Sequence, residues 1–465
     1  MNDTPQGRLG RVVDDMRVRW TGRDVVMAVN HFNGGMKALA EELDRSGARL
    51  AAVVINTVPR ADDPPAEHVW SCAEHGLTMS HRQYEVWLAS KPQEVVDWLD
   101  GLDPDREWEV LGTTYSEFEE LGGRPAYGRW LPEWAVWEDK TRIDELWQRV
   151  GIPAPPHVIV DVDDPDLAAT AVSLDQGHGV MIAIDTTLDV LGSSQGLRWV
   201  RSRAELDTAV EVLRARTERV RIATFVPGVP CSLMGMVFDD GVAVFDPIEV
   251  ITLHRPSTGQ LVYGGCSTTW RPADARREVL RDYARRVGQD LSTSLGYTGV
   301  FSVDGLSGAD GFVATELNPR HVSGIGVRPG WPEFPTRLLN RAVQGHLPEA
   351  AGAGWQDVEE AYREVVRRTP SASLWIEVPE GADIGEEGRV LTTAVSVPVG
   401  DSAVECVVEY RPQCGGAWII GASTPTGAVP HDGALGPVTA AFAEKFGVPD
   451  LASFGEITAR STLTG

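Results

Sequence analysis

Residues Gly299 to Gly324 read GVFSVDGLSGADGFVATELNPRHVSG, and the organisation of the chain is worked outward from this stretch. Two runs rich in apolar residues flank a glycine-rich turn, Ser307 to Gly311, which is the pattern of a β-hairpin. The turn predicts a register that places three pairs of residues opposite one another: Leu306 and Phe312, Asp304 and Ala314, and Ser302 and Glu316.

Alternation along the two strands gives this hairpin one apolar and one polar face. The predicted apolar face comprises Phe301, Val303, Val313, Thr315 and Leu317. The predicted polar face comprises Ser302, Asp304, Ala314, Glu316 and Asn318. Two carboxylates and an amide on one face suit Mg²⁺, a cation that takes oxygen ligands and usually keeps substrate phosphates as others. We therefore predict Asp304, Glu316 and Asn318 as metal ligands.

Pro319 and Arg320 follow the predicted ligands. Proline cannot donate to a strand ladder, so the strand should end at Pro319. Arg320 is then placed to form a forked pair with a carboxylate or a phosphate. Taken alone, the same residues also fit a solvent-exposed hairpin with ordinary charges on its wet face.

The series Asp304, then Glu316-Leu317-Asn318-Pro319-Arg320, resembles the metal-binding signature of the ATP-grasp carboxylate–amine ligases. The resemblance implies that ATP and Mg²⁺ are the cofactors and that the aspartate, glutamate and asparagine hold two magnesium ions on ATP. It further implies that Arg320 is catalytic and contacts the substrate carboxylate or acyl-phosphate.

Composition and charge exclude several other classes of protein. The 465 residues carry a formal net charge of −25, which argues against nucleic acid or an anionic membrane as partner. The five cysteines form no CxxC pair and their number is odd, as expected for free thiols in a reducing cytoplasm. The N-terminal residues have no apolar signal region, and no apolar run is long enough to span a bilayer. We expect a cytoplasmic protein.

Residues 1–136 are predicted to form an α/β domain. The strand Asp24 to Val29, a glycine turn, a helix from Met36 to Ser46 and the strand Leu50 to Ile55 make a βαβ unit. The turn does not fit the GxGxxG pattern of dinucleotide binding. This region loosely resembles the domain that precedes the ATP-grasp domain in the family.

Residues 137–369 are predicted to form the ATP-grasp domain. Glu138-Asp139-Lys140, a helix with apolar residues at helical spacing, and Gly151-Ile152-Pro153 resemble the entry to that fold. The resemblance implies that Lys140 contacts the nucleotide phosphates. The family places a second phosphate lysine in the strand that corresponds to Gly179 to Ile184, but no lysine occurs between Lys140 and Lys445. Arg198 is a candidate for that missing charge.

Two further stretches resemble nucleotide-binding parts of the family. The run from Gly192 to Gly196 resembles the loop that closes over the phosphates, which implies contacts from Ser193, Ser194 and Gly196. The run from Arg221 to Gly228 resembles the strand whose backbone pairs with adenine, which implies contacts through Phe225 and Val226. The family usually has an acidic residue there, whereas this chain has Ala223 and Thr224.

Residues 370–465 are predicted to form a small α+β domain of short strands and one helix, Gly436 to Phe446. This domain either completes the active-site wall or holds an oligomer such as a homodimer, and both alternatives are open.

The resemblance implies a peptide ligase that joins a carboxylic or amino acid to a peptide amine through an acyl-phosphate, in peptide natural-product (antibiotic) biosynthesis. The alternatives are an L-amino acid ligase making dipeptides, an ATP-grasp small-molecule kinase, and a nucleotide-binding protein without turnover.

Overall fold

The computed structural model describes residues 5–184, 196–326, 335–368, 371–379, 381–399, 402–413, 416–424, 427–428, 435–453 and 461–463. The helices are α1 Pro5–Trp20, α2 Gly34–Arg45, α3 His81–Ala89, α4 Gln93–Leu102, α5 Ile143–Val150, α6 Leu167–Leu174, α7 Arg203–Arg214, α8 Asp274–Leu295, α9 Thr336–Gln344, α10 Trp355–Arg368 and α11 Leu435–Lys445. The strands of the first 184 residues are β1 Asp24–Val29, β2 Arg49–Ile55, β3 His68–Ser71, β4 Glu109–Leu111, β5 Glu120–Leu121, β6 Arg124–Pro125, β7 His157–Asp161 and β8 Val180–Ile184. The later strands are β9 Leu197–Val200, β10 Arg219–Thr224, β11 Val229–Phe238, β12 Gly241–Val244, β13 Ile248–His254, β14 Leu261–Ser267, β15 Gly299–Gly308, β16 Gly311–Asn318, β17 Ala372–Glu377, β18 Leu391–Val399, β19 Ser402–Gln413, β20 Gly416–Thr424, β21 Gly427–Ala428 and β22 Ala452–Ser453.

The N-terminal region is built on a parallel sheet of order β3-β2-β1-β4. Both faces of the sheet are covered, because alternate residues of β1 and β2 belong to two different apolar cores. The predicted βαβ unit is confirmed. The Asn33 side chain accepts a hydrogen bond from the Met36 amide at 3.0 Å and so begins α2.

The central region contains a four-stranded antiparallel sheet of order β7-β10-β8-β9. An ion pair connects this sheet to α5, since Arg221 of β10 donates to both carboxylate oxygens of Asp144 at 2.7 and 2.8 Å. Both side chains are buried. Helix α5 ends at Gly151, whose φ of +65° is the left-handed conformation that glycine adopts without strain.

The largest sheet runs in the order β16-β15-β11-β13-β14-β17-β20-β19-β18. It crosses the predicted boundary between residues 369 and 370, because β14 pairs with β17. The predicted boundaries of the three domains stay a prediction, but the second and third regions share one sheet. The α/β and α+β parts are therefore joined by backbone pairing that spans the last two regions.

The hairpin of β15 and β16 forms as predicted, but the predicted register was wrong. The pairs are Ser302 with Asn318, Asp304 with Glu316, and Gly305 with Ala314. A bulge next to Asp304 leaves Thr315 as the extra residue of β16, and one extra residue reverses which side chains face the core. The core face therefore carries Phe312 and Ala314 instead of Val313, while Glu316 and Asn318 stay with Asp304.

Two expectations about the whole chain can be compared with the described residues. Cys72, Cys231, Cys266 and Cys406 are buried free thiols, as predicted for these four. Within the described ranges, no helix has both the length and the apolar composition needed to cross a bilayer.

Candidate active site

The predicted metal ligands lie side by side at one end of the hairpin of β15 and β16, called here the acidic hairpin. Asp304 and Glu316 are directly opposite each other, and Ser302 is opposite Asn318. The Asn318 amide donates from Nδ2 to Asp304 Oδ2 at 3.1 Å and to Ser302 Oγ at 3.3 Å. The bulge brings the two carboxylates opposite each other. Without the extra residue, the register predicted from the sequence would place Ala314 opposite Asp304.

The two carboxylates repel each other in this arrangement. Burial and then the charge of Glu316 raise the pKa of Asp304 to about 6, although the Ser232 hydroxyl, Arg320 and Lys140 act in the opposite direction. A bound cation would relieve this repulsion. The chemistry of the donor set therefore fits Mg²⁺, with Asn318 presenting its oxygen after rotation of its amide.

Lys140 pairs with the acidic hairpin. It lies in the turn before α5, and its Nζ is 3.0 Å from Glu316 Oε1. The lysine and glutamate side chains are 15% and 27% exposed, so the pair is largely shielded from solvent. The segment is fixed at its other end by a hydrogen bond of 2.8 Å from the Ala314 amide to the Pro153 carbonyl oxygen. The predicted phosphate lysine and a predicted metal ligand therefore neutralise each other.

Arg320 is held by groups from three parts of the chain. Its Nη2 donates to Asn318 Oδ1 at 2.6 Å, and its Nε is 3.3 Å from Glu138 Oε1. The guanidinium carbon lies 5.4 Å from the centre of the Tyr115 ring, a distance suited to a cation–π contact. Tyr115 also donates its hydroxyl hydrogen to Glu138 Oε2 at 3.2 Å.

Glu138 and Arg320 each stabilise the charged form of the other. Burial raises the pKa of Glu138, and the Arg320 guanidinium opposes this effect. Burial alone lowers the pKa of Arg320, but Tyr115, Glu138 and Glu316 hold it above its usual value. Sequence reasoning quoted Glu138 only as part of the lysine motif and missed Tyr115, because no local pattern signals a contact between residues so far apart in the chain.

The predicted nucleotide contacts are placed only in part. Ser193 and Ser194 lie outside the described residues, and the Gly196 carbonyl accepts a hydrogen bond from the Ile184 amide at 3.3 Å. The Phe225 ring stacks on Trp199 with centroids 4.6 Å apart, and its amide donates to the Gly179 carbonyl at 3.2 Å. An adenine contact at Phe225 would therefore use its carbonyl oxygen, and the predicted roles of Phe225 and Val226 stay predictions.

Arg198, the candidate for the missing phosphate charge, lies on β9 opposite Ile182. Its Nη1 donates to the Leu197 carbonyl at 2.8 Å, and burial followed by nearby Arg216 lowers its pKa. Its role at the phosphates stays a prediction.

Comparison with solved structures identifies the fold. An N5-carboxyaminoimidazole synthase from Aspergillus clavatus in complex with ADP and 5-aminoimidazole ribonucleotide is similar, with a TM-score of 0.52, 15% identity and coverage of 85% of this chain and 94% of that one. The ATP complex of the carboxyaminoimidazole ribonucleotide synthase from that fungus gives a TM-score of 0.52, 15% identity and coverage of 85% and 93%. An L-amino acid ligase from Bacillus licheniformis gives a TM-score of 0.51 and 12% identity, with coverage of 93% and 99%.

These similarities show that the chain has the ATP-grasp fold, as the sequence predicted. No protein-family model matches the sequence, and no curated protein matches it.

Proposed function

We propose that this protein is an ATP-dependent peptide ligase that joins a carboxylic or amino acid to the N-terminal amine of a peptide and releases ADP and phosphate. One observation carries the proposal: in an ATP-grasp fold, Lys140 pairs with Glu316, which lies opposite Asp304 in the hairpin, while Arg320 lies two residues beyond Asn318. A phosphate-binding cation, a set of metal ligands and a carboxylate-binding arginine are the three elements that acyl-phosphate formation needs.

Each residue has a separate role in this proposal. Asp304, Glu316 and Asn318 would hold magnesium, which when bound neutralises charge on the transferring phosphoryl group. Lys140 exchanges Glu316 for the nucleotide phosphates. Arg320 binds the substrate carboxylate and then stabilises the oxyanion that forms when the amine attacks. Rigid support from Glu138 and Tyr115 lowers the cost of ordering the Arg320 side chain.

The chemistry proceeds in two transfers. An oxygen of the substrate carboxylate bonds to the terminal phosphorus of ATP, the bond from that phosphorus to the ADP oxygen breaks, and ADP and an acyl-phosphate result. The amine then forms a bond to the acyl carbon, and the bond from that carbon to the phosphate oxygen breaks. A loop that includes Ser193, Ser194 and Gly196 would exclude water from the acyl-phosphate between the two steps.

A peptide amine is the proposed nucleophile because the order of the three regions resembles most closely the peptide ligase of pheganomycin biosynthesis. A peptide also offers backbone groups whose binding energy can be used for orientation. This resemblance supports a role in peptide natural-product biosynthesis. A second candidate, an L-amino acid ligase, is favoured by the similarity to the Bacillus licheniformis enzyme over nearly the whole of both chains.

A phosphate-release screen of carboxylic acids against amino acids and short peptides tests the proposal. We expect phosphate release to require both an acid and an amine, and kcat/KM to rise as the amine is lengthened from one residue to several. Equal or faster rates with single amino acids would instead identify an amino acid ligase. A phosphorylated acid formed without any amine requirement would identify a kinase, and AMP with pyrophosphate would rule out the acyl-phosphate route.

A further inference from the structure

His81 and Glu85 form a pair on the first turns of α3. His81 Nε2 is 3.2 Å from Glu85 Oε1, and the two residues are four positions apart, so they share one face of the helix. The Glu85 side chain is only 10% exposed, whereas that of His81 is 33% exposed. The glutamate is thus enclosed and the imidazole remains accessible.

Glu85 is fixed by more than its histidine partner. The hydroxyl groups of Thr113 and Ser116 both donate to it, the latter at 3.1 Å. These two residues follow β4, so the contacts fasten the start of α3 to the carboxyl end of the sheet. A carboxylate held by two hydroxyls is a rigid acceptor that orients the ring and directs the Nε2 proton. Among the described residues Nδ1 of His81 makes no hydrogen bond, so it is the ring nitrogen left to carry a lone pair.

The position of this pair follows from the topology of the N-terminal sheet. In the order β3-β2-β1-β4, strands β2 and β3 are added on one side of β1 and β4 on the other, so the order of addition switches side between β1 and β4. Ligands of open α/β sheets bind outside the carboxyl ends of the strands at such a point. His31 follows β1 there, and burial, then the charges of His81 and Arg60, lower its pKa. The two histidines therefore lie close together at the carboxyl end of the sheet.

This end of the sheet borders the candidate active site through Tyr115. The His81 ring meets the Tyr115 ring edge-on with centroids 5.8 Å apart, and the Arg320 guanidinium also contacts Tyr115, 5.4 Å from its ring centre. One aromatic ring thus separates His81 from the arginine proposed to bind the acyl group. An amine beside that acyl group must therefore approach the imidazole past this ring.

We propose that His81, oriented by Glu85, is the general base that accepts a proton from the attacking amine, an inference that rests on the proposed ligase function. His81 Nδ1 takes one proton from the substrate ammonium and later passes it to water. The freed electron pair forms the bond to the acyl carbon, and the bond from carbon to phosphate oxygen breaks with its electrons leaving on phosphate. The second proton of the new amide nitrogen leaves with the phosphate.

Hydroxylamine, used as the nucleophile, distinguishes a general base from a residue needed for folding or for acyl-phosphate formation. It is largely unprotonated near neutral pH, so it traps an acyl-phosphate as a hydroxamate without a base, whereas a peptide ammonium must first lose a proton. Wild-type protein, His81→Asn, His81→Gln and Glu85→Gln are incubated with ATP, Mg²⁺ and L-amino acids as acids. Hydroxylamine, alanyl-alanine or L-alanine serves as nucleophile, and hydroxamate, amide and phosphate are measured. His68→Asn, at an exposed position on β3, is the matched histidine control.

We expect both His81 variants to lower amide formation by about 100-fold or more, the effect of a lost general base, while hydroxamate formation stays at the wild-type rate. Glu85→Gln should show a smaller loss in the same direction, and His68→Asn should show none. Unchanged amide formation in the His81 variants would overturn the proposal, and so would equal loss of amide and hydroxamate in variants with wild-type melting temperature and ATP affinity. If wild-type protein forms no hydroxamate with any acid, the proposed ligase function itself is wrong.

Discussion

Replacing Glu316 by glutamine should separate nucleotide binding from metal binding. In the structure the Lys140 ammonium is 3.0 Å from Glu316 Oε1, so the lysine is already neutralised before ATP arrives. Glutamine keeps the volume of the side chain but removes its charge. Lys140 is then free to bind phosphate oxygens even without Mg²⁺, and Asp304 loses its repulsive neighbour. We expect metal-free ATP to bind more tightly to Glu316→Gln than to the wild-type protein, while turnover with Mg²⁺ is abolished.

The magnitude follows from the exposure of the pair. A charge-assisted hydrogen bond contributes about 1.5–3 kcal/mol. The two side chains are 15% and 27% exposed, so solvent screening places this pair toward the lower end, at about 1–2 kcal/mol. That range corresponds to about 5-fold to 30-fold in Kd.

Isothermal titration of ATP in EDTA and then in Mg²⁺ measures the effect. The control is the same substitution in a Lys140→Met background, where no lysine remains to be released. Tighter binding of metal-free ATP on Glu316→Gln substitution when Lys140 is present, and unchanged binding when Lys140 is replaced, would support the reasoning. An equal gain in ATP affinity in both backgrounds would mean only that Glu316 no longer repels the phosphates. No gain in either background would refute the proposed competition between Glu316 and the phosphates for Lys140.

Three other substitutions test the charged groups of the structure. Lys140→Met should raise the apparent ATP requirement by about 1.5–3 kcal/mol, or about 10-fold to 150-fold, and an unchanged ATP dependence in steady-state assays would contradict its role. Because the pKa of Asp304 is raised from 3.8 to about 6, its protonation should stabilise the metal-free protein, fully below 3.8 and no longer above about 6. Thermal unfolding should show this gain on acidification in the wild-type protein and a smaller gain in Asp304→Asn; identical profiles would argue against a raised pKa. Asp144→Asn leaves the Arg221 guanidinium buried without its counter-charge and should cost about 3–5 kcal/mol in chemical unfolding, so a loss well under 1 kcal/mol would show that the pair is dispensable.

Local patterns were sufficient to predict several of the elements. The buried strand DVVMAV has the predicted bounds, Asp24–Val29, and the helix after Lys140 occupies Ile143–Val150 as its apolar spacing indicates. These elements depend on alternation, helical period and capping within a few residues. Their neighbours in space add burial but do not change their type.

The acidic hairpin shows where local patterns fail. Its turn and its metal face were predicted, but the bulge at Thr315 changed the register, because a single inserted residue leaves no mark in an alternating sequence. The contacts of Arg320 with Tyr115 and Glu138 could not be predicted either, since they join segments distant in the chain. The residues that hold the arginine are therefore a result of tertiary packing alone.

The C-terminal region cannot be separated from the candidate active site as an appended unit. Strand β17 satisfies the backbone of β14 at Gly265, Cys266 and Ser267, and the apolar core beneath it mixes residues of β13 with residues of α11. Without this region β14 would present an unpaired edge. The region also reaches the N-terminal domain, because a side chain at Gly34, the first residue of α2, would meet Trp418 of β20 at 3.5 Å. Sheet pairing therefore joins the C-terminal region to the sheet that carries the acidic hairpin, and Trp418 lies next to the start of α2 in the N-terminal region.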